Sequence, residues 1–302
     1  MDTGKTGRTV AVPYFHVVFT LPDALNILCL HQPTVIYNIV FQSPWHVLNS
    51  FGHDPKWLGA QTGMISILHT WGQTMTLHPH LHCIVAGGGI TQQGKWKTAK
   101  SEGRYLFNVK AMSKVFRGKF IALLKETLPA FMPADFINEL YKKDWVVYAK
   151  APFSGPESVV EYLGRYTHKI AISNHRIKNI EDGKVSFSYK DYRAAAITKE
   201  MTLDAAEFIR RFAMHILPKG FVRIRHFGIL SSTSKTACAI AIKEPLPPMA
   251  EVKNAKQKKE MYNPLQCPCC KKETMHTILR FNRRGPPADW EDMVKNILRC
   301  LV

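Results

Sequence analysis

Stretches in which apolar and polar residues alternate mark the predicted strands of this chain. The clearest stretch covers residues 77–85 and runs into the glycines of 87–89, which predict a turn. Its histidines stand at alternate positions: His78, His80 and His82. Because successive side chains of a strand point to opposite faces, the three imidazoles should share one face while the intervening apolar residues enter a core.

Other stretches add both strands and helices to this pattern. Runs rich in β-branched and aromatic residues predict strands at 12–20, 64–70, 145–150, 169–177, 184–190 and 221–226. Apolar positions at helical spacing predict helices at 31–51 (interrupted near Pro44), 111–128, 156–168 and 203–217. Residues 91–110 are polar and predict a loop. Together these elements predict a chain with both strands and helices.

The strand at 64–70 should pair with the histidine strand as an antiparallel hairpin, because only a short turn separates the two. Facing Cβ atoms in such a ladder lie about 5 Å apart, which would bring His69 towards His80 and His82. Neutral imidazole is the commonest metal ligand in proteins. We predict these three residues as metal ligands, with Gln73 and His78 as alternatives to His69. Histidines elsewhere, such as His16, are expected to be structural.

A large excess of positive charge distinguishes this chain. It has 41 Lys and Arg residues against 23 Asp and Glu, a formal net charge of +18 over 302 residues. Such an excess favours a polyanionic partner, nucleic acid before a membrane surface. The sequence has no apolar run of about 18 residues to cross a membrane, and its start lacks the apolar core of a signal peptide. We therefore expect a cytoplasmic protein, in which the seven cysteines stay reduced.

A second informative segment begins at Pro156, which suits the first turn of a helix. Tyr162 and Tyr166 are four residues apart and therefore share one helix face, a spacing that also occurs in ordinary amphipathic packing. Between Arg165 and His226 the sequence has 13 Lys and Arg residues against 6 Asp and Glu, which indicates a DNA-facing surface. The candidate DNA-binding residues are Arg165, Lys169, Arg176, Arg210, Arg211, Arg223 and Arg225.

The histidines and tyrosines together indicate a specific chemistry. A metal ion on the histidine strand could polarise a phosphate oxygen of DNA. A tyrosine could then attack the phosphorus, forming a covalent phosphotyrosine and releasing a 3′-hydroxyl. Because the bond energy is retained, the strand could later be rejoined elsewhere, and two tyrosines would allow two successive transfers.

These motifs resemble those of the two-tyrosine rolling-circle transposases of the insertion sequence 91 family, in the His-hydrophobic-His endonuclease superfamily. Besides the histidine strand, the resemblance rests on matching runs in the same order: PYFHVVFTLP at 13–22, HTWGQ at 69–73, YLGRYTHKIAISN at 162–174, FIRRF at 208–212, LPKGF at 217–221 and RIRHFG at 223–228. It spans roughly residues 12–240 and is specific, because so many matches keep one order.

The resemblance implies a site and a partner. It assigns His80 and His82 as the metal pair and Tyr162 and Tyr166 as nucleophiles. The implied fold is of the α+β class, a central antiparallel sheet with flanking helices and the metal strand in its middle. The implied cofactor is a divalent metal, Mg²⁺ or Mn²⁺. The implied partner is single-stranded DNA at transposon ends, without a membrane or a small-molecule substrate. Such a protein would act in the bacterial cytoplasm, associated with the nucleoid through DNA binding.

The domain organisation predicted from the sequence has three parts. Residues 1–11 form a loose N-terminal remnant, 12–242 the catalytic domain, and 243–302 a basic linker and cysteine-containing tail. In the tail, Cys267 and Cys270 have the spacing of one zinc knuckle and are candidate Zn²⁺ ligands.

The family normally carries a cysteine-rich zinc-binding region before the first strand, and this chain starts too late to contain it. The chain is therefore expected to be a truncated copy. Two alternatives to an active transposase remain at this point: an inactive copy that only binds DNA, and a replication-initiator-like single-strand nickase.

Overall fold

A computed structural model of the chain describes residues 14–99, 106–153, 155–167 and 170–234, and the single positions 272, 273, 290 and 292. The chain divides into two compact units, residues 1–252 and 253–302, and every element named below belongs to the first. The predictions for residues 1–11, for the boundary after 242 and for Cys267 and Cys270 fall outside the described residues and stay predictions.

The described part of the chain contains both strands and helices. The strands are β1 (Tyr14–Thr20), β2 (Gly63–Trp71), β3 (Leu77–Ala86), β4 (Gly88–Ile90), β5 (Trp96–Thr98), β6 (Val147–Ala149), β7 (Ile177–Glu181), β8 (Lys184–Asp191), β9 (Ile197–Asp204) and β10 (Ile224–Gly228). The helices are α1 (Asn26–His31), α2 (Pro33–His53), α3 (Val109–Thr127), α4 (Ala134–Lys142), α5 (Pro156–Thr167) and α6 (Ala205–Ala213). None of the described helices is both long and apolar enough to span a membrane.

The main sheet has five strands in the order β10-β2-β3-β1-β6. Every pair of neighbours is antiparallel. The histidine strand β3 is the middle strand. The predicted α+β class and the central antiparallel sheet with the histidine strand in its middle are therefore confirmed.

One face of the main sheet packs against helices. Phe15, Phe19 and Leu81 point to this face and are at most 1% exposed, and the Phe19 ring meets Phe116 of α3 edge-on with 5.1 Å between centroids. Burying a side chain of this size contributes roughly 1.5–3 kcal/mol. This core fixes the orientation of β3, so the face with the histidines is turned away from α2 and α3.

A smaller sheet, β7-β8-β9, holds the tip of the β2–β3 hairpin. Its core residue Phe187 is fully buried and clusters with Met75 of the tip. Arg176 Nη2 donates to the main-chain oxygen of Gln73 at 2.5 Å, and Arg211 Nη1 donates to that of Thr74 at 3.1 Å. The hairpin that carries the histidines is therefore anchored at its far end as well as in the main sheet.

The prediction that the helix at 31–51 is interrupted near Pro44 was wrong, because α2 runs continuously through this residue. Proline inside a helix removes one hydrogen bond and costs about 3 kcal/mol. Here Pro44 is buried, and Val40, Val47 and Leu48 on the same side are also buried. Packing of this face against the core offsets the missing bond.

Three further local predictions differ from the structure. Residues 88–90 form β4, paired with β5, where a turn and a loop were predicted. Residues 170–176 are irregular or 3₁₀-helical, so the strand predicted at 169–177 begins only at Ile177. Finally, the helix predicted at 203–217 is shorter in the structure, where α6 covers Ala205–Ala213, and the strand β9 before it was not predicted. The strand was missed because its residues are mostly exposed, so they lack apolar alternation, and it forms through pairing along the whole of β8.

Gly88→Ala is expected to destabilise the protein by about 1–3 kcal/mol through overpacking. A Cβ at position 88 would lie 2.5 Å from the main-chain oxygen of Lys97 and 2.6 Å from the Trp96 ring. Gly118→Ala is the matched control, because an added Cβ there meets nothing within 4 Å in the middle of α3. It should stabilise by about 0.5–1 kcal/mol. Urea unfolding of both variants measures the contrast, and equal stabilities would contradict it.

Candidate metal centre and tyrosine pair

Strand pairing in the main sheet places the candidate ligands. Along the β2–β3 ladder, His69 lies opposite His80. On the other side of β3, Val18 of β1 lies opposite His82. Directly opposite residues share a face of a sheet, and so do residues two apart on one strand, such as His80 and His82. The three histidines therefore lie together on the face turned away from α2 and α3.

The side chains of His69, His80 and His82 form one cluster, in which a ring nitrogen of each lies within 4.8 Å of those of the other two. His80 Nδ1 donates to the main-chain oxygen of His78 at 2.7 Å, and His69 Nε2 donates to that of Tyr166 at 2.9 Å. Because a neutral imidazole has one N–H, the second nitrogen of each of these rings carries a lone pair. Imidazoles fixed in this way by main-chain acceptors are typical of metal sites.

The two alternative third ligands point to other partners. His78 Nδ1 lies 4.0 Å from an oxygen of Asp23. Gln73 Oε1 accepts a hydrogen bond from the main-chain nitrogen of Lys190 at 3.3 Å. Of the three candidates for this position, the structure therefore brings His69 to the histidine pair.

Helix α5 lays both tyrosines against the histidine cluster. The rings of Tyr162 and Tyr166 are in contact, with 4.3 Å between centroids. Tyr166 lies against His82 at 4.1 Å between centroids, and the Tyr162 hydroxyl lies 3.0 Å from His82 Nδ1. Arg223 donates to the main-chain oxygen of Thr167 and so helps to hold the end of the helix. The shared helix face predicted for the tyrosines is thus turned towards the histidines.

Both phenols sit in surroundings that favour their protonated form. Burial raises the pKa of Tyr162 above its ordinary value of 10.0. Burial also raises the pKa of Tyr166, although the charge of Arg165 acts in the opposite direction. Either tyrosine therefore requires a cationic partner or a proton acceptor before it can act as a nucleophile near neutral pH.

His16 of β1 belongs to this cluster, where an ordinary structural histidine was expected. Its Nε2 lies 3.1 Å from His82 Nδ1, and its ring lies 4.6 Å from that of Tyr162. Burial, with a smaller effect from the charge of Lys150, lowers the pKa of His16 to about 4. The Nε2 of a neutral His16 can accept a hydrogen bond from the N–H at His82 Nδ1, which would leave His82 Nε2 as the ligand atom.

His16→Phe should therefore raise the dissociation constant of Mn²⁺ about 10- to 100-fold, the usual effect of losing a hydrogen-bond partner of a ligand. Phenylalanine keeps a buried ring and removes the nitrogen, so the fold should be retained. Titration calorimetry gives the dissociation constant. His226→Phe on the exposed edge strand β10 is the matched control and should leave it unchanged. Equal affinities in the two variants would count against a positioning role for His16.

Four of the seven candidate DNA-binding residues form two pairs. Arg165 and Arg176 line a cavity beside the tyrosines. Arg210 and Arg211 both pair with Glu207 of α6. All four lie in the segment from α5 to α6.

Arg225 lies on the other face of the main sheet. It lies directly opposite Ser66, and Ser66 lies opposite Cys83, whose side chain enters the core on the helix side of the sheet. The Arg225 guanidinium lies 4.2 Å from the ring centroid of Phe41 on α2. This contact places Arg225 away from the histidine cluster, and its role in DNA binding stays a prediction. Lys169 falls outside the described residues.

Comparison with known proteins defines the class of this protein as transposase. Residues 63–237 match the Y2_Tnp family, whose description is "Putative transposase". A protein of Sinorhizobium fredii named "Putative transposase y4qJ" is 40% identical over 95% of this chain and 78% of its own length. The transposase for insertion sequence element IS801 of Pseudomonas savastanoi pv. phaseolicola is 29% identical over 76% of this chain and 57% of its own length.

The chain belongs to this family, and the identification with the two-tyrosine rolling-circle transposases of the insertion sequence 91 family is confirmed. Among solved structures, TrwC complexed with a 27-mer DNA comprising the recognition hairpin and the cleavage site is similar at a TM-score of 0.34 and 8% identity, over 66% of this chain and 71% of that chain.

Proposed function

We propose that this transposase cuts and rejoins single-stranded DNA at transposon ends, with a divalent metal on its histidine cluster and tyrosines as nucleophiles. The observation that carries the proposal is the contact between the two groups. The Tyr162 hydroxyl lies 3.0 Å from His82 Nδ1, and the Tyr166 ring lies 4.1 Å from the His82 ring. Simple packing of a helix on a sheet does not require three imidazoles and two phenols at one point.

The donor atoms of the cluster fit a divalent metal. His69, His80 and His82 would hold it, each through one imidazole nitrogen. Three nitrogen ligands favour Mn²⁺ over the harder Mg²⁺. When bound, the ion would supply Lewis acidity to a phosphate oxygen of the DNA. The carbonyl oxygens that accept from His69 and His80 keep the two rings in the required tautomer.

The tyrosines carry out the covalent step. The oxygen of one tyrosine attacks the phosphorus, and the bond between phosphorus and the 3′-oxygen of the preceding nucleotide breaks. The 5′-phosphate remains on the tyrosine, and the proton of the phenol ends on the released 3′-hydroxyl, so atoms and charge balance. The N–H at His82 Nδ1, 3.0 Å from the Tyr162 hydroxyl, is placed to donate a hydrogen bond to that oxygen during the attack.

The second tyrosine allows a second transfer at the same site. Its ring is 4.3 Å from the first, so a second strand could be cut while the first stays covalently attached. We propose Tyr162 for the first attack, because its hydroxyl contacts a predicted metal ligand. Arg165 would offer positive charge to the DNA from the same helix, since its side chain is exposed and its ion-pair partner Glu161 is exposed as well.

The proposal is tested by incubating the protein with a labelled single-stranded oligonucleotide that spans the transposon end, with and without Mn²⁺. A cut strand with a free 3′-hydroxyl and a labelled protein band that survives denaturation support it. Binding without cleavage would indicate a copy that only binds DNA. Cleavage by hydrolysis, without a protein–DNA adduct, would rule out the tyrosine mechanism.

A further inference from the structure

A cavity of about 900 Å³ opens beside the tyrosine helix. The end of β2 forms one wall, the last turn of α5 and residues 170–176 form another, and the small sheet forms the third. Trp71, Arg165 and Tyr189 mark these three walls. Volumes of this size are typical of pockets that enclose a small organic ligand.

The lining of this cavity combines flat apolar groups with hydrogen-bonding and cationic ones. Among the described residues it offers the rings of Tyr189 and Tyr192, the amides of Gln73 and Asn174, and the guanidinium groups of Arg165 and Arg176. No acidic side chain occurs in this lining. The combination suits a ligand that is planar, rich in hydrogen-bonding edges and attached to negative charge.

The cavity adjoins the metal and tyrosine site through shared side chains. Trp71, in its wall, stacks on His69 with 4.5 Å between centroids and an angle of 18° between the planes. Arg165, also in its wall, directly precedes Tyr166 in α5. A group bound against Trp71 in the cavity would therefore be separated from the candidate metal by the stacked rings of Trp71 and His69.

Hydrogen bonds hold the wall formed by the hairpin tip and the small sheet in place. Arg176 donates to Gln73 of the tip at 2.5 Å and to the Ser188 main-chain oxygen of the sheet at 2.8 Å. Gln73 also accepts from the Lys190 main-chain nitrogen at 3.3 Å. These bonds fix the shape of the cavity, so the protein would need little conformational change to bind a ligand there.

We propose that this cavity binds an unstacked base of the DNA strand, from the nucleotide next to the scissile phosphate. The inference rests on the proposed function, since it requires a phosphate at the histidine cluster. With the phosphate there, the neighbouring base is directed past Trp71 into the cavity, where Tyr189 and Tyr192 offer stacking surfaces. Asn174 and Gln73 offer amide groups to the base edge, and Arg165 and Arg176 offset the charge of the adjoining phosphates.

The consequence is that the protein recognises bases as well as the phosphate backbone next to the cut. Stacking between a base and an aromatic side chain is sequence-tolerant, whereas amide groups distinguish base edges. A surface that met only phosphates would not depend on the bases at all.

The test compares two single strands of about 12 nucleotides, one of mixed sequence and one with abasic tetrahydrofuran units at every position. Both carry the same charge. Wild-type protein should bind the normal strand about tenfold more tightly than the abasic strand, the effect of one stacked base. Tyr192→Ala should remove most of this difference without weakening abasic binding. Tyr192 is 69% exposed, so the fold should tolerate the change.

Tyr141→Ala is the matched control, because Tyr141 is also exposed, at 45%, but lies on α4. It should keep the full difference between the two strands. Equal binding of the two strands by wild type, or equal losses for both strands in Tyr192→Ala, would overturn the base pocket. If the covalent adduct still forms in that case, the proposed function stands. Failure of both strands to bind would remove both proposals.

A second measurement does not depend on how well any variant folds. A strand with 5-bromodeoxyuridine next to the scissile phosphate is irradiated with the wild-type protein, and the crosslinked peptide is identified by mass spectrometry. Crosslinks to Trp71, Tyr189 or Tyr192 support the pocket. Crosslinks confined to residues outside the cavity lining would contradict it.

Discussion

His80→Ala should reduce metal-dependent cleavage of single-stranded DNA by about 10³-fold or more while leaving most of the affinity for that DNA. The loss of one ligand removes Lewis-acid stabilisation worth several kcal/mol, and about 4 kcal/mol corresponds to 10³-fold in rate. His80 is a partly exposed residue whose Nδ1 is held by a main-chain oxygen, so its replacement leaves the sheet intact. Binding should persist because Lys and Arg side chains make most phosphate contacts.

The measurements are the initial cleavage rate over a range of Mn²⁺ concentrations and the dissociation constant of an uncut strand. His78→Ala is the matched control, since it removes an imidazole two residues away on the same strand face, and the main-chain oxygen that accepts from His80 remains. It should retain cleavage. If the two variants lost cleavage equally, the assignment of ligands along this strand would be wrong. If neither did, the cluster would not be the metal site.

Replacing both Tyr162 and Tyr166 with phenylalanine should abolish the covalent protein–DNA adduct, a loss of about 10³-fold or more in strand cleavage. Each change removes one oxygen atom. At Tyr162 the fold loses the hydrogen bond between the hydroxyl and His82, a cost of about 0.5–1.5 kcal/mol. The adduct is measured by denaturing electrophoresis of a reaction with labelled DNA.

The single variants separate the roles of the two tyrosines. If Tyr162 attacks first, Tyr162→Phe should block the first cut, and Tyr166→Phe should block only transfer of the second strand. Tyr141→Phe on α4 is the control and should form the adduct at the wild-type level. An adduct in the double variant would show that another residue is the nucleophile. Loss of every step in both single variants would mean that one tyrosine only positions the other.

The sequence was sufficient to predict the middle of the main sheet. Alternation of apolar residues with His80 and His82 correctly predicted which side chains of β3 enter the core, because a strand offers only two faces. The short connection after His69 correctly predicted the antiparallel hairpin. Four-residue spacing predicted the common face of Tyr162 and Tyr166. Each of these predictions depends on a local rule that acts over a few residues.

Features that depend on distant parts of the chain could not be predicted. His16 joins the cluster because β1 pairs with β3 in one register, with His16 opposite Ile84, and no local pattern reveals that register. Sequence alone also gives no signal that α5 crosses this face of the sheet. The glycines at 88 and 89 indicate a turn by composition, and only the close approach of Lys97 and Gln61 explains them as strand residues.

The hydrogen bond from His69 to the main-chain oxygen of Tyr166 links two equilibria of the protein. The bond exists only while α5 is docked on the sheet, and it sets the tautomer in which His69 can bind a metal. Docking of the helix must therefore raise the affinity for the ion, and by reciprocity the ion must stabilise the docked helix to the same extent. If strand transfer moves α5 off the sheet, the site would hold its metal less tightly, and strand transfer and metal exchange would be thermodynamically coupled.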